Sequence, residues 1–83
     1  MWFVYIILCS DNSYYIGTTD NIDRRFRDHQ KGNGGAYTRS HKPLKVVYIE
    51  ECINKSSALK RELQLKKWSR SKKAALINCN IYL

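Results

Sequence analysis

Apolar and polar positions change their rhythm several times along this chain, and each change marks an element. Residues 2–9, Trp-Phe-Val-Tyr-Ile-Ile-Leu-Cys, are apolar throughout and rich in β-branched and aromatic types. That run predicts a strand buried on both faces. Ser10-Asp11-Asn12-Ser13 is turn chemistry. Tyr14 to Thr18 reads as a second short strand, so residues 2–18 are expected to form an antiparallel hairpin. Asp20 then reads as a helix N-cap, with Asp23 in the favourable first turn. This helix is expected to run to about Lys31 and stop at Gly32.

Residues 32–43 read as a glycine-rich, basic loop. Pro43, the only proline, precedes a third strand from Leu44 to Glu51, where its missing N–H costs little. Asn54 or Ser56 caps a second helix over roughly 56–68, and Ser69 or Ser71 starts a short third helix through Ile77. The order is ββα, loop, βαα. Strands and helices mix without a βαβ rhythm, which predicts an α+β fold with an antiparallel sheet.

The chain has 83 residues, enough for one domain over residues 1–83 with a thin core and a shallow surface site. It is too short for a doubly wound nucleotide-binding fold or a barrel. The longest apolar run, Met1 to Cys9, is too short to span a membrane. No basic residues precede it, which argues against a signal peptide. Cys9, Cys52 and Cys79 are odd in number, widely spaced and without a C-x-x-C pair, so no zinc ribbon is expected. Reduced, mostly buried thiols and a cytoplasmic location fit this pattern. Cys9 and Cys52 end strand-like runs, where small apolar packing is the commoner role.

Charge narrows the partner class. Fifteen basic against seven acidic residues give a net charge of +8. So large an excess on so small a surface favours a polyanion, and nucleic acid first among polyanions.

Both longer helices carry charge where apolar residues are expected. Ile22, Arg25, Phe26 and His29 stand at i, i+3, i+4 and i+7, on one face. Ile22 and Phe26 should point at the sheet. Arg25 is then either a snorkelling side chain at the core's edge or a fixed guanidinium able to bind two phosphate oxygens. On the second helix the apolar set is Ala58, Leu59, Leu63 and Leu65, with Glu62 inside the stripe. Glu62 is the sole acid among eight basic residues from Lys55 to Lys73. Two readings stay open: a helix pair with Lys66, or a metal ligand of the kind Mg²⁺ accepts singly.

There are six tyrosines, and Tyr5, Tyr15 and Tyr48 fall on three different strands. Tyr5 and Tyr15 lie on paired strands, where their hydroxyls can share one hollow. Beside Arg25 a phenol's pKa should be lowered, which would suit a general base for water.

Phe3-Val4-Tyr5, nine residues, then Tyr15-Ile16-Gly17 resembles the paired motif of the GIY-YIG nuclease superfamily. Phe3 stands where the name-giving glycine would be. Arg25 follows Gly17 at the spacing of that superfamily's helix arginine, and His29 stands where many members have His or Tyr. Glu62, within Ala58-Leu59-Lys60-Arg61-Glu62, looks like its metal-binding glutamate. Small stand-alone YhbQ-like members also carry segments similar to Tyr37-Thr38-Arg39 and Lys66-Lys67-Trp68-Ser69-Arg70. Some relatives have Lys where this chain has Thr18, and some have a late asparagine for which Asn78 is a loose candidate.

The resemblance implies a three-stranded antiparallel sheet flanked by helices and metal-dependent hydrolysis of phosphodiester bonds, with DNA as the expected substrate. Related domains occur in DNA-repair nucleases, homing endonucleases and restriction enzymes. It implies Tyr5 or Tyr15 as the base, Arg25 on the phosphate and one Mg²⁺ or Mn²⁺ ion on Glu62. His29 would hold a tyrosine hydroxyl or a phosphate, or pack against Phe26. Arg39, His41, Lys42, Lys66, Lys67, Arg70, Lys72 and Lys73 would grip the backbone with little base readout, giving selection by shape or none. Two other classes compete. A binding module that no longer cuts would be expected to lack Arg25 or Glu62, and both are present. An interaction domain would use Trp2, Trp68 and Tyr82 as an exposed aromatic patch, although Trp68 could equally stack on a base.

Overall fold

The computed structural model describes residues 1–32 and 40–79. Strands β1 (Trp2–Cys9), β2 (Tyr14–Thr19) and β3 (Pro43–Cys52) form one sheet in the order β2-β1-β3. Both pairings are antiparallel. The most apolar run is therefore the central strand, as its sequence predicts. Val4 and Ile6 project to one face of the sheet, and Tyr5, Ile7 and Cys9 to the other. Full burial of Val4, Ile6 and Ile7 stabilises the fold by roughly 1.5–3 kcal/mol per side chain.

The β1–β2 turn places Asn12 at φ 70°, a left-handed conformation that asparagine tolerates. Asp11 braces it, accepting from the Ser13 amide at 3.1 Å and hydroxyl at 2.6 Å. Pro43 is the first residue of β3 rather than its forerunner, and β3 is an edge strand, where proline is tolerated.

Helix α1 (Ile22–Gln30) covers the Tyr5 face through Ile22 and Phe26. Its cap is Asn21, not the expected Asp20. β2 runs on to Thr19, which pairs with Phe3, and the Thr19 hydroxyl accepts the Asn21 amide at 3.1 Å. The helix thus starts one residue later, and the Asn21 side chain accepts the Arg24 amide at 3.0 Å. Asp20 instead pairs with the Arg24 guanidinium at 2.8 Å. Gly32 ends the helix as expected, at φ 83°.

Helices α2 (Lys55–Lys66) and α3 (Arg70–Asn78) lie on the Val4 face, capped by Asn54 and Ser69. The α2 stripe corrects the sequence expectation. Ala58 and Leu65 are fully buried, but Leu59 is 41 % and Leu63 61 % exposed. The inward row is Ala58, Arg61, Glu62 and Leu65, at i, i+3, i+4 and i+7, so two charges sit in its middle. Arg61 is accommodated because Glu50, on the same sheet face, takes its Nε at 2.9 Å. Tyr48 donates to the other Glu50 oxygen at 2.7 Å. Among the described residues no helix is long and apolar enough to cross a membrane.

Candidate active site

The site is built on the α1 face, where β1 and β2 lie side by side. Gly17 stands directly across the ladder from Tyr5. A Cβ at position 17 would lie 2.5 Å from the Tyr5 hydroxyl oxygen, 2.7 Å from its Cζ and 3.2 Å from Cε1 of Tyr15. Only a residue without a side chain lets the Tyr5 ring lie over β2 at this point. Tyr15, two residues earlier on the same face, packs its ring 6.3 Å from that of Tyr5.

From α1, the face predicted at Ile22, Arg25, Phe26 and His29 closes over these rings. His29 is fully buried. Its ring meets Tyr15 edge-on at 4.9 Å and Tyr5 at 5.9 Å. Its Nε2 lies 2.9 Å from the Tyr5 hydroxyl. The Arg25 charge also acts on that hydroxyl, favouring its ionised form. In the tautomer with the imidazole proton on Nδ1, His29 Nε2 accepts the Tyr5 proton.

Titration behaviour follows from burial. The Tyr5 pKa is pushed up to about 12, first by burial, with Tyr15 and Glu62 adding to the rise and Arg25 opposing it. The expected lowering by Arg25 is thus overturned: the guanidinium acts in that direction, but loss of water outweighs it. His29 is pushed down to about 4, first by burial and then by the Arg25 charge, against a small opposing effect of Asp28. Near neutral pH the pair is therefore a protonated phenol hydrogen-bonded to a neutral imidazole.

Glu62 comes from the opposite side of the sheet, yet its charge is felt at Tyr5. Its side chain is 16 % exposed and pairs with Lys66 Nζ at 2.8 Å. The helix pair considered from the sequence is thus formed. It does not exclude a metal role, because a surface ammonium is easily displaced by a divalent cation. Among the described residues no group of three or more His, Cys, Asp or Glu could hold a metal. A single hard carboxylate fits an ion that keeps its waters and shares substrate oxygens, as Mg²⁺ does.

The remaining sequence candidates separate. His41 lies 3.5 Å from Asp11, and the Lys42 carbonyl accepts the Ser10 amide at 2.7 Å, so both border the β1–β2 turn. Lys66 and Lys67 lie at the end of α2, and Arg70, Lys72 and Lys73 on α3. Arg39 and Tyr82 fall outside the described residues. Of the aromatic patch expected from the sequence, Trp2 and Trp68 pack partly buried against the core rather than standing exposed. Lys55 covers Trp2, and Arg61 and Lys72 cover Trp68. Thr18 pairs with Val4, and Asn78 is exposed at the end of α3. Cys9 is buried and its thiol is pushed up by that burial, which suits packing rather than attack. Cys79 is exposed, contrary to the expectation of mostly buried thiols.

Sequence reasoning missed the Tyr48–Glu50–Arg61 network. Its signal was present: Tyr48 and Glu50 alternate on one strand face, and Arg61 is three residues from Ala58 and four from Leu65.

Residues 1–75 match the GIY-YIG catalytic domain. The chain belongs to the GIY-YIG family. This is a nuclease family whose members act on nucleic acid, generally with a divalent metal. The chain is 47 % identical to a UPF0213 protein of Syntrophus aciditrophicus, over 94 % of this chain and 91 % of that one. A UPF0213 protein of Clostridium perfringens is 44 % identical, over 94 % and 84 % of the two chains. The solution NMR structure of a UPF0213 protein from Bacillus halodurans is similar in fold, with a TM-score of 0.59 and 38 % identity. That likeness covers 94 % of this chain and 84 % of the other. Within the GIY-YIG pattern, Phe3 replaces the first glycine without loss of the sheet: it pairs with Thr19 on one side and Glu51 on the other. The glycine that the geometry requires is the second one, Gly17, and it is kept.

Proposed function

We propose that this GIY-YIG chain is a metal-dependent endonuclease that hydrolyses phosphodiester bonds in DNA, selecting by shape or not at all. One observation carries the reading: the Tyr5 hydroxyl lies 2.9 Å from Nε2 of a neutral His29, within the field of the Arg25 charge. A phenol pushed up to about 12 is a weak acid, and its anion does not accumulate near neutral pH. It serves as a base only by passing its proton on as it accepts another, and His29 Nε2 at 2.9 Å is the acceptor.

In this scheme water attacks phosphorus and gives its proton to the Tyr5 oxygen. Tyr5 passes its original proton to His29 Nε2. The bond from phosphorus to the 3′ oxygen breaks, and that oxygen is protonated from solvent. Arg25 stabilises the charge that grows on the phosphate oxygens. Tyr15 packs against the His29 ring and orients it. Glu62 would hold the Mg²⁺ or Mn²⁺ ion, which when bound supplies positive charge for the departing oxygen. Lys66, Lys67, Arg70, Lys72 and Lys73 supply backbone affinity from α2 and α3, and His41 and Lys42 from beside the β1–β2 turn.

The test is a panel of plasmid, flap, branched and single-stranded DNA with Mg²⁺, Mn²⁺ or EDTA. The wild type is expected to cut with either metal and not with EDTA. Glu62→Gln is expected to bind DNA as well as wild type, or better, without cutting. Full Mg²⁺-dependent cleavage by Glu62→Gln would remove the ion from that carboxylate. A wild type that binds but never cuts would make the chain a binding module.

A further inference from the structure

We infer that the sheet face opposite the Tyr5 site, around the β2 edge, is a second contact surface that holds an unpaired nucleic-acid strand. The inference rests on the nuclease reading above and adds the form of nucleic acid the chain prefers.

Tyr14 and Tyr15 are neighbours on β2, an edge strand of the sheet. Tyr15 packs in the α1-side cluster with Tyr5, and Tyr14 in the α2–α3-side cluster with Trp68. A chain passing over the edge of β2 would therefore leave the candidate active site and arrive at Tyr14. There the guanidinium of Arg70 lies 4.4 Å from the Tyr14 ring centroid. Lys72, on the same first turn of α3, lies 4.2 Å from the Trp68 ring. Arg70 and Lys72 are exposed while both rings are partly buried, so the ring faces they cover are the ones toward solvent. On the inner side both rings rest on the core, and Trp68 is further pinned by Arg61 at 5.3 Å.

Two rings resting on the core, each with an exposed cation over its face, form a stacking platform. A base can take the place over the ring while the displaced cation moves to the adjacent phosphate, so both attractions are retained. Paired bases cannot do this, because their faces are already stacked within the duplex. Duplex would meet this surface only through phosphates. The pairing of ring and cation at two adjacent positions thus favours an unpaired strand, such as the arm of a flap or a fork.

The two tryptophans allow a direct reading. In Trp2→Phe, fluorescence reports Trp68 alone. The protein is titrated in EDTA, so that nothing is cut, with an oligothymidylate and separately with a blunt duplex. Oligothymidylate is expected to quench Trp68, and duplex to bind with little quenching. Adding Arg70→Gln and Lys72→Gln should weaken oligothymidylate binding about tenfold and duplex binding less. Arg70→Lys with Lys72→Arg should restore both, which separates lost contacts from a damaged fold. Equal affinity for both probes with Trp68 emission unchanged would overturn this inference and leave the nuclease reading standing. Binding of neither probe at low salt would overturn both.

Discussion

The side chain that position 17 lacks is replaced by the ring of Tyr5, whose hydroxyl oxygen lies 2.5 Å from where a Cβ would be. The two residues face each other across the β1–β2 ladder. The second glycine of the motif is therefore a packing requirement of its first tyrosine. Phe3, in place of the first glycine, pairs normally on both sides of the sheet and meets no such requirement.

Gly17→Ala should consequently displace Tyr5 and destabilise the fold by about 1–3 kcal/mol, the usual cost of overpacking. In a Tyr5→Ala background, where the ring is gone, the same change should cost much less. Thermal melting of the four proteins in this cycle measures the coupling. Equal costs in both backgrounds would refute the contact.

Acid should weaken the fold through His29. The native pKa is pushed down to about 4, by burial first and then by Arg25, while the unfolded chain regains a value of about 6.5. Between these values the unfolded state binds a proton that the native state refuses, so stability rises with pH. The contribution is complete above about pH 6.5 and is lost as pH falls toward 4, a difference of roughly 3 kcal/mol. Melting temperature should fall more steeply on acidification in wild type than in His29→Gln. Parallel curves would contradict this. Cleavage should fail over the same lower range, because a protonated His29 accepts no further proton.

The α2 correction gives a contrast between two leucines. Leu65 is fully buried, and Leu65→Ala should cost about 2–5 kcal/mol. Leu63 is 61 % exposed, and Leu63→Ala should stay within about 0.5 kcal/mol. Denaturant unfolding of the two variants decides whether the helix faces inward along Ala58, Arg61, Glu62 and Leu65 or along Leu59 and Leu63.

Much of this was legible in the chain, for physical reasons that differ by element. The run from Trp2 to Cys9 is apolar on both faces, and only a central strand buries it that way. Helix α1 has a clean period, so Arg25 and His29 could be placed on the inward face beside Ile22 and Phe26. The period of α2 misleads because burial along this helix does not follow hydrophobicity. Glu50 and Lys66 neutralise Arg61 and Glu62, so the charged pair turns inward and Leu59 and Leu63 turn out. The state of Tyr5 was misjudged for a similar reason. The sequence shows the arginine that would lower its pKa, but not the burial that raises it. Burial depends on three elements meeting.

Tyr5→Phe removes one oxygen and leaves the ring over Gly17, so it isolates the hydroxyl that the mechanism uses. The measurement is the single-turnover cleavage rate of Tyr5→Phe against wild type on the best-cut DNA substrate, with Mg²⁺ and saturating protein. A relay from water through Tyr5 to His29 predicts a fall of about 10²–10⁴-fold with DNA affinity unchanged. Cleavage by Tyr5→Phe at the wild-type rate would contradict the account.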